Sequence, residues 1–307
     1  CIPLAVNPQA GKQFMEEAFD YLTSNFGFLY VLSAIGVFGF LLYLAFGRHG
    51  NISFGDSEPE FSLFSWCAML FCGGIGTSVL YWGTVEWAHY YQAPPYGIEA
   101  GSSDALIWSI SYPMFHWGLL GWGFYCLPGI AAGLAFYRGG AKSLRLSEAC
   151  APVIGNLSQG LLGRLIDFLY LVGLIGAVST GLGLAVPLLA ELIAELFGLN
   201  RRDIGFGLDI FVIMVISLLF CASVWVGLEK GVKRLSNINV YFAFFVLAFV
   251  FLVGPTLFII EMGISSFGHL FQNFLKMSTW LDPMRKSDFV ESWTIFYWAW
   301  WVALGPY

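Results

Sequence analysis

Long apolar runs dominate the pattern of this chain. A bilayer core about 30 Å thick requires roughly 20 apolar residues for one helical span. Six runs reach this length, at residues 28–46, 61–87, 105–136, 168–190, 210–228 and 240–260. The pattern therefore predicts an all-α polytopic membrane protein. The second and third runs are longer than a straight crossing needs, so we expect them to tilt, kink or project beyond the bilayer.

A seventh apolar run opens at residue 293 and is cut at residue 307. At 1.5 Å per residue it would form a helix of about 22 Å, too short to cross the hydrocarbon core. The sequence also begins at Cys1, without an initiator methionine or the layout of a signal peptide. We therefore expect a fragment cut at both ends, with a second half that lies outside the sequence.

Composition strengthens the membrane interpretation. The chain is 58% hydrophobic, 18% aromatic and only 11% charged, whereas about a quarter of the residues in a soluble domain are charged. The net charge of −6 is spread over connecting segments; it forms no basic stripe, which argues against nucleic acid as a partner. The six cysteines form no CxxC pair, so they indicate no redox compartment. The lipid bilayer is the expected partner of most of the surface.

Lysine and arginine predict the orientation of the spans, because cytoplasmic loops are enriched in both. The loops at 138–165 and 229–237 fall on one side and are basic, whereas the opposite loop at 92–104 has no basic residue. We therefore place the two basic loops in the cytoplasm. Several basic residues on the outer side weaken this bias, namely Arg201, Arg202, Lys276, Arg285 and Lys286. The outer segment 267–280 has apolar residues at helical spacing, which predicts a structural helix along the membrane face.

Small residues interrupt the second span near mid-bilayer. They are the consecutive residues Gly74, Ile75, Gly76, Thr77 and Ser78. In one interpretation, small residues let a neighbouring helix pack closely without any ligand. In the other, the helix is broken there, and its freed carbonyls and hydroxyls face an ion or a substrate. The pattern alone leaves both interpretations open.

Deep aromatic residues form the strongest candidate binding site. On a continuous third-span helix, Trp117, Trp122 and Tyr125 would share one side. Trp301 follows Trp293 by eight residues and would lie about 12 Å deeper, whereas Trp293 fits an interfacial belt. A trimethylammonium group donates no hydrogen bond but is attracted to aromatic faces, at about 0.5–2 kcal/mol per contact. The rings could therefore hold a quaternary cation, or they could simply fill space between helices.

Ionisable residues within the spans are few. We expect His116 to be neutral, buried and hydrogen-bonded to a backbone carbonyl, with a proton relay as the alternative. Glu86 falls near the outer boundary of its span, where it could be solvated. The sequence contains no metal-ligand spacing, P-loop, nucleophile elbow or HExxH motif. Nothing therefore indicates an enzyme, a bound metal or an organic cofactor.

Two aromatic strings resemble signature helices of the betaine/choline/carnitine transporter family. The first is Phe115-His116-Trp117, followed by Trp122 and Tyr125, and the second is WTIFYWAWW at 293–301. The connection GLEKGVKRLSN at 227–237 and the turn PPYG at 94–97 are also similar to family segments. The resemblance extends from about residue 28 to residue 307.

The resemblance implies the inverted-repeat, LeuT-like transporter fold of that family, with twelve transmembrane helices of which ten form two inverted five-helix repeats. The chain 1–307 would then be part of a single transmembrane transporter domain, truncated after the first repeat. Its spans would be helices two to seven and the start of helix eight. The first repeat would cover about 61–262, and the second would begin at 293–307.

The resemblance also implies the substrate site. The family's aromatic box falls on Trp117, Trp122, Tyr125 and Trp301. Trp300 and Phe296 would belong to the substrate path beside it. His89 stands where the sodium-independent carnitine antiporters have a tyrosine that lines the box. The segment from Gly74 to Ser78 would face substrate or ion.

Coupling stays open, because the residues that bear on it point in opposite directions. Ion-coupled members typically have Gly-Met-Gly-Ile-Gly in the glycine helix, and the sequence from Gly74 to Ser78 departs from it towards the antiporters. Those antiporters, however, have an arginine where this chain has Asn239. Na⁺ coupling, H⁺ coupling, symport and antiport all remain open at this point.

The sequence therefore predicts a secondary active transporter of quaternary-ammonium solutes, such as glycine betaine, choline or carnitine, that works by alternating access and serves osmoprotection. The resemblance implies a multi-pass protein of the bacterial inner (plasma) membrane, with a homotrimer as the assembly to expect. Two alternatives stay open: an amino-acid transporter of the same architecture, and a non-transporting osmotic sensor or structural membrane protein.

Overall fold

The computed structural model describes residues 7–55 and 58–305, apart from the side chains at positions 74, 75, 77, 80 and 202. Within these ranges the chain is helical and contains no β-strand. The long helices are α1 (Pro8–Phe46), α2 (Leu63–Gln92), α3 (Ser103–His116), α4 (Leu119–Tyr137), α5 (Leu161–Leu196), α6 (Gly207–Val226), α7 (Lys233–Val253), α8 (Thr256–Thr279) and α9 (Phe296–Leu304). Short helical turns are Pro95–Gly97, Leu146–Ala149, Ala151–Ile154, Gly155–Gln159, Arg201–Ile204, Leu228–Val232 and Val290–Ile295.

The predicted membrane class is confirmed. Among the described residues, five helical stretches are long and apolar enough to cross a bilayer: Pro8–Phe46, Ser103–Tyr137, Leu161–Leu196, Gly207–Val226 and Leu228–Val253. Helix α2, with 30 residues, accounts for the second predicted span. Most large apolar side chains of α6 and α7 are exposed, as expected of helices whose solvent is lipid.

The helices group into two compact units. The first unit contains the described residues of Cys1–Phe54, Trp87–Tyr170 and Met262–Pro306, and the second contains those of Gly55–Glu86 and Leu171–Glu261. In the first unit, α1 packs against α4 and α9, and α4 packs against α9. Its largest fully buried side chains are mostly aromatic and include Trp298, Trp301, Tyr90, Tyr112 and Tyr297.

In the second unit, α5 and α6 share a small apolar core. Buried residues from both helices form it, namely Val186, Ala190, Ala194, Leu208 and Val212. Arg201 lies in the connection between the two helices. Its guanidinium pairs with Glu191 on α5 at 3.2 Å and with Asp209 on α6 at 3.0 Å. One cation therefore ties both ends of the connection together.

The third predicted span is two helices rather than one. Helix α3 ends at His116 and α4 begins at Leu119. The amide of Trp117 still donates to the carbonyl of Pro113, whereas that of Gly118 donates back to Phe115. A Cβ at Gly118 would lie 2.4 Å from the carbonyl oxygen of Met114, so only glycine fits there. This long span therefore kinks, one of the expected outcomes.

Three helix boundaries differ from the sequence prediction. Helix α1 begins at Pro8, where the side chain of Asn7 caps it, so it extends well before the apolar run predicted to start at 28. Helix α7 ends at Val253 because Pro255 cannot continue the helical hydrogen bonding. The end of the predicted span 240–260 therefore belongs to α8, and the predicted helix 267–280 is the second half of α8.

Replacing Gly118 by alanine tests the kink. We expect the added methyl group to clash with the Met114 carbonyl and to cost about 1–3 kcal/mol of folding free energy. The thermal unfolding midpoint of the purified full-length protein should fall. The matched control is Gly129→Ala in α4, where a Cβ would meet no atom within 4 Å. Equal unfolding midpoints for the two variants would contradict the requirement for glycine at position 118.

Candidate functional site

The four residues predicted to form an aromatic box come together around Trp301 in the first unit. The ring centroid of Trp301 lies 6.0 Å from that of Trp117, 5.2 Å from Trp122 and 6.3 Å from Tyr125. The premise that Trp117, Trp122 and Tyr125 share one side of a continuous helix is wrong, because Trp117 lies in the break between α3 and α4. The kink nevertheless leaves all three rings next to Trp301.

A hydrogen bond fixes the Trp301 ring at the helix break. Its indole Nε1–H donates to the carbonyl oxygen of His116, the last residue of α3, at 3.0 Å. The residue is 0% exposed. A Cβ at Gly121 would lie 2.4 Å from this Nε1 atom, so the absence of a side chain at Gly121 permits the close approach. The kink and the buried indole are therefore parts of one arrangement.

The spacing of the rings fits the walls of a cation site. Two perpendicular ring faces that each stand about 4.5 Å from one ammonium nitrogen have centroids about 6.4 Å apart. Trp117 and Trp301 are 6.0 Å apart at 72°, and Tyr125 and Trp301 are 6.3 Å apart at 81°. Trp122 and Trp301 are closer, at 5.2 Å. None of the four side chains carries a charge, so any attraction for a cation would come from ring faces.

Trp300 and Phe296 occupy different positions relative to these rings. Trp300 is buried, with its centroid 5.6 Å from Trp117 and 5.4 Å from Trp301. Phe296 packs on Tyr297 at 5.5 Å, and Tyr297 lies 5.4 Å from Trp117. Trp300 thus touches the aromatic cluster directly, whereas Tyr297 links Phe296 to it.

His116 joins three helical elements beneath the cluster. It is 0% exposed, its Nδ1 is 3.0 Å from the Tyr90 hydroxyl, and its Nε2 is 3.1 Å from the Thr294 hydroxyl. The ring also stacks on Tyr297 at 4.7 Å. The prediction of a buried, hydrogen-bonded histidine is therefore confirmed, and two of its partners are side-chain hydroxyls.

His89 lies beside Trp293 in the first unit. Its ring lies 5.5 Å from that of Trp293. With Pro94, Asp288 and Ser292, both residues line a cavity of about 340 Å³. This cavity contains none of the four predicted box residues in its lining. His89 thus contacts the Trp293 end of the segment that also carries Trp301, and its assignment to the box stays a prediction.

The helix break that was one interpretation of the second span is not observed. Helix α2 continues through Gly74, Ile75, Gly76, Thr77 and Ser78 without interruption. A continuous helix satisfies its own backbone groups, which is the stable arrangement at hydrocarbon depth. The side chains of Gly74, Ile75 and Thr77 lie outside the described part of the chain. A Cβ at Gly76 would meet no described atom within 4 Å.

Asn239 contacts helix α2 within the second unit. Its side-chain Nδ2 donates to the Cys72 sulfur at 3.7 Å, and that thiol contacts the Ser236 carbonyl at 3.8 Å. Two residues earlier on α7, the Asn237 amide donates to Ser65 at 3.0 Å. Polar side chains thus connect α7 to α2 next to the glycine-rich segment.

Sequence reasoning missed the supports of the aromatic cluster. The supports are Tyr90, Thr294 and Gly121. Each contacts a residue that the sequence analysis named, but Tyr90 and Gly121 have no distinctive sequence pattern of their own. The one available signal was a lone threonine inside the aromatic string WTIFYWAWW. A polar residue among deep aromatic residues implies a buried hydrogen-bond partner.

The fold and the cluster define a class of protein. It is a polytopic helical membrane protein with a buried aromatic cluster at a kinked span. The family model described as "BCCT, betaine/carnitine/choline family transporter" matches residues 1–307. The chain therefore belongs to the betaine/carnitine/choline transporter family. This result confirms the resemblance of the aromatic strings, and the family consists of transporters rather than enzymes.

Curated relatives agree with the family. The chain is 38% identical to the "Uncharacterized transporter YeaV" of Escherichia coli over 87% of its own length and 55% of that protein. It is 35% identical to a "Carnitine transporter" of Acinetobacter baumannii over 99% of its length and 54% of that protein. It is 34% identical to the "Glycine betaine transporter OpuD" of Bacillus subtilis over 98% of its length and 59% of that protein. The chain thus spans little more than half the length of these relatives.

Thr294→Val tests the buried hydrogen-bond network. The substitution keeps the side-chain shape but removes the hydroxyl that faces His116, and we expect a loss of about 1–3 kcal/mol in folding free energy. The thermal midpoint of the full-length protein should fall. Thr180→Val is the control, because the Thr180 hydroxyl is exposed and donates to the carbonyl of Gly176 one turn earlier. A Thr294→Val midpoint no lower than that of Thr180→Val would contradict the network.

Proposed function

We propose that the full-length protein containing this chain is a secondary active transporter of quaternary-ammonium solutes, such as glycine betaine, carnitine or choline. The observation that carries the proposal is the convergence of Trp117, Trp122 and Tyr125 on the buried ring of Trp301. We assign the substrate's ammonium group to the faces of these four rings. Trp300 and Phe296 are assigned to the path beside them.

The chemistry of the substrate explains why rings suit it. A trimethylammonium group carries a positive charge but no N–H, so carboxylates and carbonyls gain no hydrogen bond from it. Each ring face contributes about 0.5–2 kcal/mol, with the larger values in dry surroundings. Trp301 and Tyr125 are buried, and a desolvated site of several rings would bind such a cation without an acidic residue.

Two relatives support this substrate class. The names of the similar proteins from Acinetobacter baumannii and Bacillus subtilis specify carnitine and glycine betaine. Both molecules carry a trimethylammonium group and a carboxylate. The third substrate, choline, is included because the family description names it. The aromatic box would recognise the group that all three share.

The transport mechanism we propose is alternating access between two inverted repeats. The first repeat would cover about 61–262, and the second would begin at 293–307, as the family resemblance implies. The box residues come from both, because Trp117, Trp122 and Tyr125 precede residue 262 and Trp301 follows residue 293. That the other end of the substrate faces Gly74 to Ser78 stays a prediction from the sequence.

We further propose a homotrimer in the bacterial inner (plasma) membrane as the working assembly. The location is supported by the apolar helices and by the bacterial origin of the relatives. The trimer rests on the family resemblance alone.

Neither alternative function gains support. An amino-acid transporter of this architecture would need groups that bind a primary ammonium through hydrogen bonds, and the four box rings are mainly apolar faces. A non-transporting sensor is disfavoured by relatives whose names describe transport. Competition by glycine against glycine betaine would separate the first alternative from the proposal, and measured flux in proteoliposomes would exclude the second.

Trp301→Ala in the full-length protein tests the proposal. Loss of one buried cation–π contact should lower the uptake efficiency for labelled glycine betaine or carnitine by about 10- to 30-fold, mainly through a raised KM. Trp117→Ala should act in the same direction. Uptake should be measured in proteoliposomes with and without a sodium gradient, so that the coupling ion is determined in the same experiment.

The matched control for this test is Trp225→Ala. Trp225 is 92% exposed on α6, and its loss should leave uptake unchanged. Membrane insertion of each variant is checked by the amount of purified, monodisperse protein. Wild-type KM values in both Trp301→Ala and Trp117→Ala would refute the box assignment.

A further inference from the structure

A cavity lies in the first unit where the end of α4 meets the short helical turns that lead to α5. Its volume is about 530 Å³, within the range typical of small-molecule sites. We call it the loop cavity. Its lining includes Ala135, Ala141, Lys142, Glu148, Pro152 and Gln159. No residue of the aromatic cluster or of the cavity beside His89 lines it, so the loop cavity is a separate feature of the unit.

Two carboxylates fold the connection around the loop cavity. The Glu148 Oε2 atom accepts hydrogen bonds from the backbone amides of Lys142 and Ser143, at 2.9 and 3.0 Å. The Asp167 carboxylate on α5 accepts from the amide and the hydroxyl of Ser147, at 2.9 and 2.8 Å. The backbone of the connection therefore sets the position of the Glu148 carboxylate in the cavity wall.

Two opposite charges line the loop cavity without neutralising each other. Lys142 donates to Glu148 through its backbone amide, but its ammonium group forms no ion pair in the ranges 7–55 and 58–305. The hydrogen bond from the Ser143 amide lowers the pKa of the Glu148 carboxyl, and the charge of Arg145 acts in the same direction. Glu148 is therefore ionised at physiological pH and faces the same cavity as a cation.

Other charged residues of the two basic loops are paired. Arg145 pairs with Asp167 at 3.3 Å, and Lys233 pairs with Glu229 at 3.9 Å. An unpaired, exposed lysine is by itself common on a protein surface and needs no ligand. Lys142 differs because it shares a cavity with a carboxylate that two backbone amides hold in place.

We propose that the loop cavity binds a free α-amino acid with an uncharged side chain. The carboxylate of the ligand would pair with the Lys142 ammonium. Its primary ammonium would donate hydrogen bonds to Glu148 and to the side-chain carbonyl of Gln159. Hydrogen bonds of this kind, between ionised groups, are stronger than those between neutral groups. The apolar lining at Ala135 and Pro152 would contact the ligand side chain.

The pair of charges explains the choice of ligand. A simple anion would be repelled by Glu148, and a simple cation would be repelled by Lys142. A quaternary ammonium has no N–H, so it would leave the Glu148 carboxylate without a hydrogen bond. The loop cavity would therefore select a different class of ligand from the aromatic box. The inference does not depend on the proposed transport function.

The ligand would come from the cytoplasm, because the orientation predicted from basic loops puts 138–165 on that side. The cavity joins the end of α4 to the connection that follows, and α4 also carries Trp122 and Tyr125. A ligand that bridges Lys142 and Glu148 would stabilise this arrangement of α4 and the connection over any other.

Saturation-transfer difference NMR tests the proposal, because it detects weak binding of a small ligand to a large particle. L-Glutamine is titrated into the purified full-length protein in detergent, and empty micelles give the background signal. We expect saturable binding with a Kd of about 1–10 mM, the affinity that a few charge-assisted hydrogen bonds supply in a solvent-accessible cavity. Absence of saturable binding to the wild type would overturn the proposal.

Charge-removing variants locate the site. Glu148→Gln keeps an oxygen that can accept the two backbone amides but removes the charge, and Lys142→Met keeps the length of the side chain. Each should weaken L-glutamine binding by roughly tenfold. The matched controls are Glu195→Gln and Lys230→Met at exposed positions, which should behave as the wild type. Wild-type affinity in both cavity variants would place the ligand elsewhere and refute the assignment.

Two further titrations separate the loop cavity from the transport site. L-Glutamine should bind with unchanged Kd in the presence of excess glycine betaine and in Trp301→Ala. Loss of binding in either case would place L-glutamine in the aromatic box and overturn the proposal.

A ligand analogue tests the role of the primary ammonium. N-acetyl-L-glutamine keeps the carboxylate and the side chain but lacks that ammonium, so it should compete at least tenfold more weakly than unlabelled L-glutamine. Equal competition would contradict the role of Glu148. This comparison uses the wild type, so it decides the question even if the cavity variants fail to fold.

Discussion

The arrangement of the first unit depends on one hydrogen bond, from the indole of Trp301 to the carbonyl of His116. A helix that breaks inside an apolar environment frees backbone groups that need new partners. The break after His116 frees a carbonyl, and a side chain from a distant part of the chain, Trp301, bonds it. The kink thus provides the carbonyl that positions the Trp301 ring, and the indole N–H satisfies that carbonyl. Gly118 and Gly121 provide the space for this pairing.

Much of the fold could be predicted because lipid imposes a simple rule on sequence. Apolar runs of sufficient length located the spans, and α5, α6 and α7 follow them. Hydropathy did not indicate that α1 begins at Pro8, because its first turns mix polar and apolar residues and form no apolar run. The boundary at Pro255 was missed for the opposite reason: apolar residues continue on both sides of the proline, so hydropathy does not change where the helix ends.

The site was predictable only in part. The aromatic strings identified the rings that meet at Trp301, because their residue types and order are distinctive. The partners of His116 lie 26 and 178 residues away in sequence, and no local pattern encodes such a pairing. The contact between Lys276 and the Tyr96 ring has the same origin, since the two residues meet only after the chain has folded. Conversely, the glycine-rich segment suggested a break, yet α2 retains its helical hydrogen bonds there.

The pair of hydroxyls around His116 has an electrical consequence. Each hydroxyl of Tyr90 and Thr294 can either donate or accept a hydrogen bond, and the neutral imidazole exists in two tautomers. The three groups can therefore reverse the direction of these two hydrogen bonds together while every heavy atom stays in place. Such a reversal would invert a local dipole beside Tyr297, on which the imidazole stacks, so one backbone geometry allows two electric fields next to the aromatic cluster.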